Sequence, residues 1–189
     1  MQSENVYIGD DKFQRFLDHY NCPAPLGVVK LRFAGAVCSP NPNLRPTDVI
    51  ASLFAENMQP RLTTKNEAEL FFKFFMGLWD EMFVEIKTNT LKLPEFSGNK
   101  NDTKELAELC HSRADQIEFG FVEGFWGGCE TLSIPNYAAE LMASLSDMAD
   151  VYGVLTKKLA QAENPKDIYP VILLSLIHIS EPTRQAEIS

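Results

Sequence analysis

Apolar side chains recur every three or four positions along most of this chain, and no segment alternates them strictly with polar ones. That period belongs to helices, whereas a half-buried strand repeats every second residue. Phe71, Phe74, Phe75, Leu78, Met82 and Ile86 form the clearest such stripe. Thr64 and Glu67 precede it with capping-box spacing, in which each side chain satisfies the other residue's free backbone N–H. The helix they open is expected to run to about Lys87. Phe72, Trp79 and Phe83 lie beside the stripe and widen the apolar arc. An arc that wide suits a helix that is central or that also faces a partner.

The other segments read the same way. Asp10 and Asp11 open a helix carrying Phe13, Phe16, Leu17 and Tyr20, which Asn21-Cys22-Pro23 ends. A second helix spans about Pro25 to Cys38, and its Ala34, Gly35 and Ala36 permit close approach of another helix. Pro40 and Pro42 mark a loop, and Pro46 suits the first turn of a short third helix with Ile50, Leu53 and Phe54 inward. Residues 91–101, with Pro94 and Gly98, form a loop before a second capping box at Asp102 and Glu105. The following helix places Leu106, Cys110, Ala114, Ile117, Phe121 and Phe125 on one face. After a break at 131–135, one long helix or two carry Leu141, Leu145, Met148, Tyr152, Leu155 and Leu159, and Asn164-Pro165 starts a last element. The expectation is an all-α, single-domain bundle of six or seven helices.

The run Ala114 to Gly128 is the most specific of these segments. Gly120 and Gly124 sit four apart on one helical face, flanked by Phe121 and Phe125, and Gly127-Gly128 can end the helix. Glycine inside a helix costs about 1 kcal/mol relative to alanine, so its use here points to a tight helix crossing. A phosphate cradle would need its glycines before a helix and after a strand.

Ala114-x-x-Ile117-x-x-Gly120-Phe121-x-x-Gly124 resembles the A-x-x-W-x-x-G-F-x-x-G helix of the YecA/YgfB-like family, with Ile117 in place of the tryptophan. That family is described as small, all-helical bacterial proteins of mostly uncharacterised function. Its earlier L-x-G-F-L-x-A helix, proline and P-x-x-W segment are similar to Leu31 to Ala36, Pro40 and Pro46 to Val49. Arg32 stands for the first glycine and Val49 for the tryptophan. The resemblance covers about residues 25–155. It implies that Phe33, Gly35, Ala36, Ala114, Ile117, Gly120, Phe121 and Gly124 are signature packing positions. Some members end in a cysteine-rich metal-binding tail.

The last residues read differently. Leu174 to Arg184, LSLIHISEPTR, is identical to one translated frame of a transposase-type sequencing adapter. The expectation is a domain over 1–173, cut in mid-element near Leu173, followed by an artefact over 174–189 in which His178 carries no function.

Net charge over the 189 residues is −9, and a surface so acidic repels phosphate backbones. No basic patch offsets it: Lys157-Lys158 is the densest spot, and Arg32, Arg45 and Arg61 are scattered. Direct nucleic-acid binding is therefore not expected. Neither a secretory signal nor a membrane span is expected, since no run reaches eighteen apolar residues and the start is polar. A cytoplasmic protein follows. Cys22, Cys38, Cys110 and Cys129 form no CxxC pair and read as reduced, buried thiols.

The reactive residues form no recognisable set. His19-x-x-Cys22 lacks further metal ligands. His111, Asp115 and Glu118 share a helical face, but the Glu-x-x-His pairs of a di-metal bundle are absent. Cys110 and His111 are sequence neighbours and so point about 100° apart on a helix. The reading is a non-catalytic protein-interaction or regulatory module, a homodimer or the binder of another protein, with Phe72, Trp79 and Phe83 as its partner surface and no cofactor. A peptide-binding chaperone similar to those that assemble molybdenum enzymes is a second reading, lacking that group's acidic Pro-Asp-His segment. A metal-dependent enzyme is the third.

Overall fold

The computed structural model describes residues 5–55, 57–92, 98–99, 101–129 and 131–168. The 174–189 segment, His178 and Pro94 lie outside them. The fold is all-α, and the described residues contain no strand. The chain clusters into two compact units: Met1–Pro94 with Phe119–Ser133, and Glu95–Glu118 with Ile134–Ser189.

The first unit holds α1 (Asp10–His19), α2 (Leu26–Cys38), α3 (Pro46–Ser52), α4 (Lys65–Lys87) and the short α6 (Glu123–Trp126). Local chemistry sets the ends. Gly9, at φ 86°, turns the chain into α1 in a conformation that side-chain-bearing residues avoid. Pro46 opens α3, where the Asp48 carboxylate accepts the Arg45 N–H at 3.0 Å. The Thr64 hydroxyl accepts the Glu67 N–H at 3.1 Å at the start of α4. The reciprocal half of the expected box is displaced by one residue: the Glu67 carboxylate takes the Thr63 N–H at 2.7 Å and its hydroxyl at 2.8 Å.

Phe13, Phe33, Phe71 and Phe75 are almost wholly enclosed. Phe33 stacks on Phe75 with ring centroids 5.7 Å apart, and Phe13 meets Phe75 edge-on at 5.5 Å. Such pairs add about 0.5–1.5 kcal/mol each beyond the area they bury. The helix buried nearly all round is α2, through Val28, Val29, Leu31, Phe33, Ala34, Gly35 and Ala36.

Close approach of α2 and α6 depends on glycine at two places. A Cβ at Gly35 would fall on the Phe121 carbonyl, and one at Gly124 would fall on the Arg32 carbonyl. The expected tight crossing of the two signature helices is present, and its obstacles are main-chain atoms.

The expected uninterrupted α-helix through Ala114–Phe125 is not. Residues Gln116–Val122 widen into a π-turn between α5 (Thr103–Asp115) and α6. Such a turn inserts one residue and frees a carbonyl from the ladder. The Arg32 guanidinium donates to the carbonyl of Phe119, within this turn. The added residue also rotates the faces: Ile117, Val122 and Phe125 are buried, Ala114 and Phe121 are half-buried, and Phe119 is exposed.

The second unit contains α5, α7 (Asn136–Leu159) and a 3-10 turn at Pro165–Ile168. The Asp102 carboxylate caps α5, accepting the N–H groups of Lys104 at 2.8 Å and Glu105 at 3.3 Å. Glu105 does not return the bond to Asp102; it accepts the Asn99 N–H instead, at 2.6 Å. Ala107, Cys110, Leu155, Leu159 and Ile168 form this unit's core cluster. The single helix α7 departs from the expected face in its first half. Met142 and Ala149 are buried in place of Leu141, which is exposed, and Met148, which is half-buried. Sequence alone does not separate the registers, because 141–142 and 148–149 are adjacent apolar pairs.

Candidate functional site

The candidate surface lies on α4. Phe71, Phe75, Leu78 and Met82 turn into the core, which fixes the helix's rotation. Residues a quarter-turn away then cannot be covered by the same core. Phe72 is left 40% exposed and Phe83 51% exposed, while Trp79 and Met76 are half-buried. Trp79 is anchored by an edge-on contact with Phe33, at 6.1 Å between centroids. Of the three predicted partner residues, two are therefore exposed and the third is half-buried. Met76, which the sequence reading missed, completes the row. Its signal was the four-three-four spacing of Phe72, Met76, Trp79 and Phe83.

A polar socket lies elsewhere in the same unit. Arg32, on the otherwise apolar α2, donates Nε to the Phe119 carbonyl at 2.8 Å and Nη1 to the Ser52 carbonyl at 3.1 Å and hydroxyl at 3.2 Å. Its Nη2 meets the Phe119 carbonyl and the Glu123 carboxylate. Burial pulls the guanidinium below its ordinary value, and the Glu123 charge opposes that. An open cavity of about 250 Å³ adjoins it, lined in part by Leu44, Asp48 and Gly127. All five donors are aimed at protein atoms, so the socket ties α2, α3 and the π-turn together. The clue in the sequence was a lone arginine among Leu31, Phe33 and Ala34.

A wider cavity, about 600 Å³, lies beside His19, Tyr20, Met58, Arg61 and Glu67. The Glu67 carboxylate is held below its ordinary value, chiefly by the Thr63 backbone and hydroxyl. Tyr20 donates to it at 3.3 Å. Among the described residues, the lining of this cavity holds one histidine and one carboxylate. His111 belongs to α5 and lies 3.7 Å from Asp115, an exposed i,i+4 pair, while Glu118 falls in the π-turn. Among the described residues, no three His, Cys, Asp or Glu side chains gather as a metal site would require.

The thiols are unactivated where a shift is resolved. Burial pushes Cys22 and Cys110 up from the ordinary thiol value, away from the thiolate a nucleophile needs, and partial desolvation by neighbouring atoms does the same at the solvent-exposed Cys38. All four cysteines are free, Cys110 buried and Cys38 exposed. No helix among the described residues is long and apolar enough to cross a membrane.

The residues expected from the resemblance to pack as a signature divide between the units. Phe33, Gly35, Ala36, Gly120, Phe121 and Gly124 belong to the first, Ala114 and Ile117 to the second. The chain matches no family model, and no curated protein and no solved structure is significantly similar to it.

Proposed function

We propose that this protein is a non-catalytic helical interaction module of regulatory character, and that it presents the Phe72–Phe83 row of α4 to a protein partner in the cytoplasm. The observation that carries this reading is the exposure of two phenylalanines on a helix whose adjoining face is locked into an aromatic core. Single exposed apolar residues are ordinary, but a contiguous row of large ones on a rigid helix is the usual form of an anchor surface. The raised Cys22 and Cys110 thiols favour a binding role over thiol chemistry. Membership of the YecA/YgfB-like family, suggested by the glycine helix, accords with it.

The test is co-purification from native extract with the wild type and with Phe72→Glu/Phe83→Glu. Phe83 is 51% exposed and Phe72, at 40%, meets Phe71 edge-on at 5.4 Å, so the variant should keep the wild-type circular dichroism spectrum and lose only a few degrees of melting temperature. We expect at least one protein, a second copy of this chain included, to be retained by the wild type and lost from the variant. Identical retention by both would remove the reading.

A further inference from the structure

Resting on the interaction reading, we infer that the partner seated on α4 is α4 of a second copy of this chain, running antiparallel.

The row Phe72, Met76, Trp79, Phe83 has the alternating four-three-four spacing of the inner positions of a coiled coil. It also reads alike from both ends. Turned end for end about a point between Met76 and Trp79, Phe72 lies opposite Phe83, and Met76 opposite Trp79. An isologous pair needs such a face, because each residue must meet the partner of its own partner.

The charges beside the row follow the same symmetry. Lys73 and Asp80 are both exposed and lie on the outer flank of the row, away from the core side held by Phe75 and Met82. In the antiparallel alignment, Lys73 of one copy comes level, to within about one helical half-turn, with Asp80 of the other. The pair occurs twice. Glu69 and Lys87, both exposed, come level in the same way at the two ends. Glu69 has an exposed contact with Lys65 at 3.4 Å within its own chain, which leaves it free to rearrange. A parallel alignment would set this flank against the partner's other flank, the core side held by Phe75 and Met82, and neither charge pair would form. Charge complementarity thus selects both the occupant and its direction.

Sedimentation equilibrium on the full chain tests this with four variants. The wild type should be a dimer that dissociates on dilution. Phe83→Glu should weaken it about a hundredfold or more, since a carboxylate would be buried in each of two contacts. Lys73→Asp and Asp80→Lys should each weaken it about tenfold by setting like charges together twice, and the double variant K73D/D80K should recover to within about threefold of the wild type. These exposed substitutions leave the core untouched, so the test holds even if Phe83→Glu misfolds. A wild type that stays monomeric at about 0.5 mM overturns the pairing, as does a dimer indifferent to Phe83→Glu or a double variant no tighter than the singles. A monomer that still loses another protein on Phe72→Glu/Phe83→Glu overturns the pairing alone. A monomer that loses nothing removes the interaction reading as well.

Discussion

Four glycines in this chain behave differently under one substitution, and the difference is legible atom by atom. Gly35 and Gly124 face backbone carbonyls that cannot swing aside, whereas Gly153 in α7 has nothing within 4 Å of where a Cβ would stand. Gly35→Ala and Gly124→Ala should each cost about 1–3 kcal/mol, the range for forcing atoms into a packed contact. Gly153→Ala should gain about 0.5–1 kcal/mol through helix propensity. Urea denaturation of the three variants checks both signs. Gly120 is intermediate, because its nearest obstacle is the Leu31 Cβ at 2.9 Å, on a side chain that shifts only with its helix. The sequence disclosed the importance of these glycines through their spacing. It flagged Arg32 as a lone arginine but did not disclose its partners, Ser52, Phe119 and Glu123, which lie far from it in sequence.

A second prediction at this scale concerns acid and alkali. Tyr7 donates to Asp10 at 2.7 Å, and Lys30 lies 3.1 Å from the same carboxylate and 5.5 Å above the Tyr7 ring. Burial works to raise the Asp10 pKa, but the bonds from Tyr7 and Lys30 outweigh it and hold the group below its ordinary 3.8. Its contribution is whole above the unfolded value and fades as the pH falls through the lower folded one. Tyr7 is shifted the other way, raised above 10.0 by burial and then by Asp10. The folded state keeps a proton that the unfolded chain releases, so stability falls as the pH rises past about 10. Thermal melts should show Tyr7→Phe less stable than the wild type at neutral pH, with the gap narrowing above about pH 10. A gap of constant size would contradict the assignment.

At the scale of helices, end signals were read more reliably than faces. Thr64, Asp102 and Pro46 each stand where their chemistry placed them, because a cap depends on residues within one turn. The capping boxes were only half right. Glu67 and Glu105 each accept a main-chain N–H further upstream than the expected one, a choice made by loop geometry and not by spacing. Asp102→Ala should lower stability by about 1 kcal/mol, since two N–H groups lose their acceptor. Denaturant titration would measure it, and Asp102→Asn should recover most of the loss. Faces were harder. The π-turn breaks the 3.6 period that any helical wheel assumes, and α7 offers two apolar registers in its first half. On α4 the wheel served well, because fully enclosed Phe71, Phe75, Leu78 and Met82 leave one rotation available.

Across the whole chain, helical class followed from periodicity, while the division into two units did not. Among the described residues, one unit is built on an aromatic-rich cluster of fifteen buried residues, the other on a cluster of five, two of them Ala107 and Cys110. The larger core should open less often, since protection scales with the apolar contacts that must be broken. Native-state hydrogen exchange should therefore find slower amides in α2 and the centre of α4 than in α5 and α7. Equal rates in all four helices would show that the units open together. The interlock of α2 with α6 bears on inheritance as well. Since main-chain atoms fill the notches at Gly35 and Gly124, no trimmed neighbour elsewhere could make room for an added methyl. Selection for revertants of either alanine substitution should return glycine at the original codon, or gains in stability at distant positions, and no compensating change in the opposing helix.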